Sequence, residues 1–354
     1  MSQNSSWQRV AAVSTTLVAV VAVGIVLMHL RGIIIPFVLA GFLSILFKPV
    51  VETLRNKGVP RVIGLITVLA INALGIWLFY LIAAAGAESL SERSDYYAEK
   101  LNLIVRDLGN FINPLIGQHP STFKWEDVIS VKQITSIATQ QVAGILTILS
   151  DSFMVLLYLL FMLLGGNSLP SKIRNAFAGK DEETLVMILS ELHTKIRKYL
   201  QVKTAFNILN GVAAWIVLLC FGVDFAALLG LISFALHYIP NIGSLLSTIL
   251  PVLLYTVQTG DPTSVVLLLI VLTVVQNIIG NVLEPKVMGI RLKLSPVVVL
   301  FSLIFWGWMW GVVGMILSIP IAAVLKVILE AFPNTRPLGI LMGNGDESTS
   351  APTS

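Results

Sequence analysis

Long apolar runs that contain neither Lys nor Arg set the strongest limit on how this chain can fold. There are eight of them: 10–30, 32–47, 62–87, 145–164, 205–223, 225–258, 262–283 and 294–325. A helix needs about 20 apolar residues to cross the hydrocarbon of a bilayer, so the runs predict a chain that crosses a membrane several times. The first run lacks a small-residue cleavage site, and we expect it to be retained as a helix.

The composition excludes the main soluble classes of protein. Only 12% of the 354 residues are charged and 56% are hydrophobic, whereas soluble domains carry about 25% charged residues. A soluble domain of about 300 residues buries only about 75% of its unfolded surface, which is too little to hide so many apolar side chains. We predict an all-α polytopic membrane protein that contacts the lipid bilayer and has no nucleic-acid partner. The single Cys220 excludes an intrachain disulfide.

The distribution of basic residues predicts the orientation. With the N-terminus in the cytoplasm, 17 of the 23 Lys and Arg residues fall on the cytoplasmic side, where membrane proteins concentrate them. Both termini are therefore predicted to be cytoplasmic.

Two runs, 225–258 and 294–325, are too long for one span. The breaks are Pro240 and Gly243 in the first, and Gly307, Gly311, Gly314 and Pro320 in the second. Each run is expected to form two short crossings or one re-entrant hairpin, beside about six full spans. As hairpins, each joined to the span before it, they would form an inverted repeat, which many secondary transporters use to build a midplane site.

Polarity divides the chain into six predicted regions. They are scaffold helices at 1–87, an extracytoplasmic amphipathic arm at 88–144, a membrane helix at 145–164, a cytoplasmic amphipathic linker at 165–204, a transport region at 205–329 and a flexible cytoplasmic tail at 330–354. The arm has a heptad-like apolar stripe. It is expected either to pack on its own protomer or the membrane, or to contact neighbouring subunits.

Polar residues inside the apolar runs are the candidates for function, because a bilayer makes them costly unless they face protein or water. No protease, hydrolase or phosphate-loop motif is present, so no enzyme is predicted. Four histidines on separate segments indicate no metal site, and no cofactor is expected.

The first candidate cluster is Lys203, Asn207 and Asn210. Its spacing of i, i+4 and i+7 places the three on one helix face. The cluster either caps the helix at the interface, with Lys203 snorkelling, or lines a solute path.

The second candidate cluster contains Gln276, Asn277, Asn281, Glu284 and Pro285. Spacing on a regular helix places residues 277, 281 and 284 on one face. Glu284 either pairs with nearby Lys286 at the interface or belongs to the solute path.

The third candidate cluster surrounds the break in run 225–258 and extends from His237 to Ser244, with Tyr238, Pro240, Asn241 and Gly243 as its candidates for the solute path. Pro and Gly in mid-run are expected to free backbone groups that line a cavity, although a simple kink is the alternative. In run 294–325, the residues Trp306, Trp308 and Trp310 are expected to form an interfacial belt.

Four motifs are similar to those of the autoinducer-2 exporter (AI-2E) family, and in particular to its autoinducer-2 export subgroup. They are Tyr-Ile-Pro-Asn-Ile-Gly-Ser at 238–244, Gly-Asn-Val-Leu-Glu-Pro-Lys-Val-Met-Gly at 280–289, Phe-Ser-Leu-Ile-Phe-Trp-Gly-Trp at 301–308 and Gly-Val-Val-Gly-Met-Ile-Leu-Ser-Ile-Pro at 311–320. The resemblance implies a bacterial inner-membrane transporter, assembled as a homopentamer, that exports small polar quorum-sensing signals such as autoinducer-2. Some relatives resemble sodium/proton antiporters instead.

The resulting hypothesis is a secondary transporter whose amides bind the hydroxyls of a small polar solute, with Glu284 serving orientation or proton coupling. One alternative is a monovalent cation/proton antiporter, for which only Asp151 and Glu284 offer ionisable groups inside the spans. The other is a non-transporting membrane scaffold built on the arm.

Overall fold

The computed structural model describes residues 14–15, 18–19, 21–115, 151–165, 182–288, 294–332 and 335–344. Within these ranges the structure is helical and contains no strand beyond the isolated bridge between Leu294 and Gly343. Six stretches of the described chain are long and apolar enough to cross a membrane. The prediction of an all-α polytopic membrane protein is thus confirmed.

The helices follow in chain order after a helical stretch at 21–29. They are α1 Arg31–Asn56, α2 Arg61–Glu92, α3 Ser94–Leu115, α4 Asp151–Gly165, α5 Glu182–Cys220, α6 Ala226–Leu236, α7 Ile242–Thr259, α8 Pro262–Asn277, a π-helical turn Ile278–Leu283, α9 Glu284–Met288, α10 Pro296–Ala331 and α11 Arg336–Leu341.

The predicted regions differ from these helices at two boundaries. α5 begins at residue 182 and runs without a break through residue 204, so the described part of the expected linker and the following span form one helix. α11 lies in the predicted tail and packs on the end of α10 at Gly339. The described residues leave out 10–13, 16–17 and 20 of the first run, the second half of the arm, 166–181 of the linker and 345–354.

Local capping explains where two of the membrane helices begin. The carboxylate of Asp261 accepts hydrogen bonds from the backbone N–H groups of Thr263 and Ser264 at 3.2 and 3.1 Å, and Pro262 follows as the first helical residue of α8. Ser295 caps α10 in the same way, ahead of Pro296. A side-chain oxygen followed by Pro at the first helical position is a standard helix start.

The chain forms two compact units, one made of Thr53–Phe153 and Arg197–Arg291 and the other of Met1–Glu52, Met154–Ile196 and Leu292–Ser354. We call them the first and the second unit. The inverted repeat and the cytoplasmic position of both termini stay predictions.

In the first unit, run 225–258 forms a helical hairpin. α6 and α7 are joined by a turn at 237–241, in which Asn241 adopts a positive φ of 60°. Gly243 lies against the carbonyl group of Leu236, so a side chain at residue 243 would collide with the other limb. With 11 residues, α6 is about 16 Å long and is too short to cross about 30 Å of hydrocarbon.

Both ends of this hairpin lie at one end of the first unit. Arg93 and the hydroxyl of Tyr97 donate hydrogen bonds to the Asp224 carboxylate at 2.6 and 2.7 Å. Gln258, at the end of α7, accepts a hydrogen bond from Asp224 N. Burial and the bond to Asp224 raise the pKa of the Tyr97 hydroxyl above its usual range, so the phenol stays protonated and keeps donating.

In the second unit, α10 folds back on itself at Gly311, which has φ 66° and ψ −146°. The hydroxyl of Ser302 donates to Ser318 O at 2.8 Å, although 16 residues would span about 24 Å of straight helix. Gly314 lies against the Trp306 carbonyl. Run 294–325 is therefore a second hairpin, and Pro320 lies inside its returning limb rather than at the reversal.

Candidate solute-binding site

A buried ion pair lies at one end of the candidate site. Lys203 Nζ of α5 donates to the two carboxylate oxygens of Glu284 at 2.9 and 3.2 Å. The two side chains are only 15% and 11% exposed. Glu284 thus pairs with a residue 81 positions away and not with the exposed Lys286, and Lys203 does not extend freely to an interface.

The π-helical turn Ile278–Leu283 sets the direction of Glu284. A π turn bonds i to i+5 and so adds one residue to a helical repeat. Glu284 is consequently buried, while Asn277 and Asn281 are exposed and joined by a 2.6 Å hydrogen bond. The common face expected for residues 277, 281 and 284 is not found, because that expectation assumed a regular helix. Pro285, also exposed, lies in the first turn of α9.

Gln276 takes the place on the buried face that was expected for the two asparagines. Its side-chain oxygen accepts hydrogen bonds from the hydroxyls of Ser247 and Thr248, both on α7, at 2.9 and 3.0 Å. The sequence analysis missed Ser247 and Thr248. Their signal was two adjacent hydroxyls one turn after Gly243 within an apolar run.

Asn207 is fully buried on the inner face of α5. With its amide oriented to match its neighbours, Nδ2 donates to Lys203 O and Oδ1 accepts from Tyr238 N, both at 3.2 Å. The Tyr238 hydroxyl donates to Thr204 Oγ1 at 2.8 Å. These hydrogen bonds hold the hairpin turn against α5 beside the Lys203–Glu284 ion pair.

Asn210 is also fully buried, one turn further along α5. Neither its Nδ2 nor its Oδ1 has a hydrogen-bond partner among the described residues. Buried side-chain amides are normally bonded, and each exception calls for an explanation.

Two glycines bring α5 and α6 together next to Asn210. A Cβ on Gly211 would lie 2.9 Å from Gly230 O, and a Cβ on Gly230 would lie 2.9 Å from Gly211 O. Small residues allow this close approach of membrane helices.

The backbone of the hairpin turn is largely bonded within the turn itself. Ile239 N, Ile242 N and Gly243 N donate to Leu236 O, Pro240 O and Ile239 O at 2.8, 2.6 and 3.0 Å. The turn therefore does not present the free backbone groups that its Pro and Gly residues predict. Its Asn241 side chain is exposed. Apart from Tyr238 N, which donates to Asn207, the polar groups described at the buried site are side chains of the surrounding helices.

The expected hinge residues Gly307, Gly311, Gly314 and Pro320 belong to the second unit. There the indole N–H of the buried Trp310 donates to Leu27 O at 3.2 Å, whereas Trp308 is 68% exposed. Of the three tryptophans expected in a belt, Trp308 is exposed, Trp306 is half-buried and Trp310 is buried. The second unit also holds the buried Lys326, which lies 3.5 Å from the half-buried Glu330, an ion pair that the sequence did not indicate.

In the first unit, the polar cluster around Lys203, Asn207, Asn210 and Gln276 is rich in neutral polar groups. Amides and hydroxyls outnumber charges, and the two charges neutralise one another. No group of three His, Cys, Asp or Glu side chains that could hold a metal ion occurs within the described ranges. Such a lining can hydrogen-bond a neutral solute in a low-dielectric setting.

Comparison with known proteins gives the family. Residues 16–334 match the AI-2E family transporter profile. The chain is 34% identical to the AI-2 transport protein TqsA of Escherichia coli K12 over 88% of this chain and 90% of that protein. It is 28% identical to the putative transport protein YhhT of Escherichia coli K12 over 90% of each chain, and 28% identical to a putative transport protein of Haemophilus influenzae over 94% and 97%. These relatives are named as transport proteins and not as enzymes, and the chain belongs to the AI-2E family of multi-pass membrane transporters.

Proposed function

We propose that this transporter exports small polar solutes across a bacterial inner membrane, with autoinducer-2 or a related signal as the solute. The similarity to the AI-2 transport protein TqsA supports the substrate. The observation that carries the proposal is Asn210, a fully buried amide with both polar atoms unpartnered among the described residues, in a cluster of neutral donors and acceptors.

The solute would bind along the buried face formed by Asn207, Asn210 and Gln276. The Lys203–Glu284 pair would orient the solute at the end of this face or couple its movement to a proton. Asn277 and Asn281 lie on a different, exposed face, so they take no part in this binding surface. A homopentamer, with the arm at its subunit contacts, is part of the same proposal.

Export from proteoliposomes loaded with autoinducer-2 tests the function. Protein-dependent efflux is expected, and Glu284→Ala should slow it about tenfold, since an interaction of about 1.4 kcal/mol in the transition state is worth a factor of ten. Asn281→Ala serves as the matched control and should export at the wild-type rate. Efflux no faster than from protein-free liposomes would contradict the substrate.

A monovalent cation/proton antiporter is the second candidate, and the buried ionisable pair Lys203–Glu284 is the observation that favours it. Everted vesicles containing a pH-sensitive dye decide between the two functions. Export of a neutral solute predicts no dequenching on addition of sodium or potassium, whereas a Glu284-dependent signal would establish antiport. The scaffold alternative is not proposed, because the family is one of transporters.

A further inference from the structure

Three buried polar atoms of the first unit have no hydrogen-bond partner among its described residues. They are Nδ2 and Oδ1 of Asn210 and Nε2 of His237. Asn210 is fully buried and His237 is 7% exposed. A buried donor or acceptor without a partner costs about 1–3 kcal/mol, so these atoms mark a place where another molecule can bind.

The two side chains lie at the same level of the antiparallel α5–α6 pair. Gly211 lies against Phe234, so Asn210 is level with the last turns of α6. The imidazole of His237 is directed back along α6, because its Nδ1 is 2.7 Å from Ser233 O. The ring therefore lies beside the turn that contains Ser233 and Phe234, level with Asn210.

The hydrogen bond of Nδ1 fixes the chemistry of the other imidazole nitrogen. A carbonyl oxygen only accepts, so Nδ1 carries the proton, and Nε2 of the neutral imidazole is then an acceptor. His237 and Asn210 together offer two acceptors and one NH₂ donor, and they carry no net charge.

We propose that Asn210 and His237 form the recognition site for the hydroxyl groups of the transported solute. The ligand class is a neutral molecule with adjacent hydroxyls, each of which can donate to one acceptor and accept from the Asn210 amide. This inference rests on the proposed function and adds His237 as a binding residue. The charged pair Lys203–Glu284, already bonded internally, would not supply this specificity.

Two substitutions of His237 distinguish the contribution of its Nδ1 from that of its Nε2. His237→Asn keeps a donor close to the position of Nδ1, which can bond Ser233 O, but removes the group at Nε2. His237→Gln places an amide near the position of Nε2. In full-length protein in proteoliposomes, His237→Asn should export autoinducer-2 at least tenfold more slowly, and His237→Gln should retain most of the rate.

Asn210→Leu removes both amide atoms and keeps the branched shape of the side chain. It should slow export at least tenfold while the melting temperature in detergent stays unchanged or rises, because an unpartnered amide destabilises the fold. Asn72→Leu is the matched control, since the Asn72 amide donates only within α2, to Val68 O at 2.9 Å. This variant should export at the wild-type rate.

Competition with sugars tests the ligand class. A site that hydrogen-bonds a hydroxyl discriminates strongly against an analogue lacking it, so D-ribose should inhibit export at least tenfold better than 2-deoxy-D-ribose. The difference should vanish in His237→Asn. Wild-type rates in both Asn210→Leu and His237→Asn, or equal inhibition by the two sugars, would overturn the inference and leave the proposed function standing. Absence of any wild-type export would instead contradict the proposed function.

Discussion

Glu284 shows how strongly a single side chain depends on one distant partner. Its carboxylate is bonded by Lys203 and is almost removed from solvent. Breaking a buried ion pair on one side leaves an uncompensated charge, which destabilises by about 3–5 kcal/mol, whereas replacing both partners with neutral groups is often close to neutral.

We therefore expect Lys203→Met and Glu284→Gln each to lower the free energy of unfolding by about 3 kcal/mol. The double variant should be more stable than either single variant. Denaturant unfolding in one detergent measures the stability of the wild type, the two single variants and the double variant. Lys286→Met, at an exposed position, is the control and should change stability by about 0.5 kcal/mol or less. Additive losses in the double variant would show that the two charges are not coupled.

At the scale of helices, the contact of α5 with α6 depends on having no side chain at Gly211. A Cβ there would come within 2.7 Å of the Phe234 Cβ and 2.9 Å of Gly230 O. Backbone atoms cannot rotate away as a side chain can, so the two helices would have to separate.

Gly211→Ala is accordingly expected to destabilise the protein by about 1–3 kcal/mol, the range for overpacking, and to slow transport. Gly75→Ala provides the comparison, because Gly75 lies in α2, where a Cβ would meet no neighbouring group within 4 Å. Ala is the better helix former, so this variant should be as stable as wild type or slightly more stable. Thermal unfolding of both variants measures the difference. Equal melting temperatures for Gly211→Ala and Gly75→Ala would contradict the close packing of α5 with α6.

At the scale of the whole molecule, the distribution of charge and the first hairpin together predict the orientation in the membrane. The ends of that hairpin lie together at Asp224 and Gln258, so residues 224 and 258 lie on the same side of the membrane. The concentration of 17 bases on the other side predicts that this side is the extracytoplasmic one.

Labelling with a membrane-impermeant maleimide in intact cells measures the orientation. In a Cys220→Ser background, Thr263→Cys should react from outside, and Lys57→Cys should react only after the cells are opened. Both positions are exposed. The reverse pattern would invert the orientation, and reaction of both from outside would contradict the odd number of crossings predicted between them.

The amino-acid sequence alone was sufficient for the membrane class and for the positions of both breaks. These features are local properties of the sequence, namely the length of each run, the shortage of charge and the breaks at Pro240, Gly243 and Gly311. They can therefore be interpreted without knowledge of tertiary contacts. Which polar residues meet emerged only from the packing of the helices. The π-helical turn rotated Glu284 away from Asn281, and packing brought it to Lys203 and buried Asn210. One added residue in a helical repeat changes every face beyond it, and apolar sequences fix neither that register nor which helices pack together.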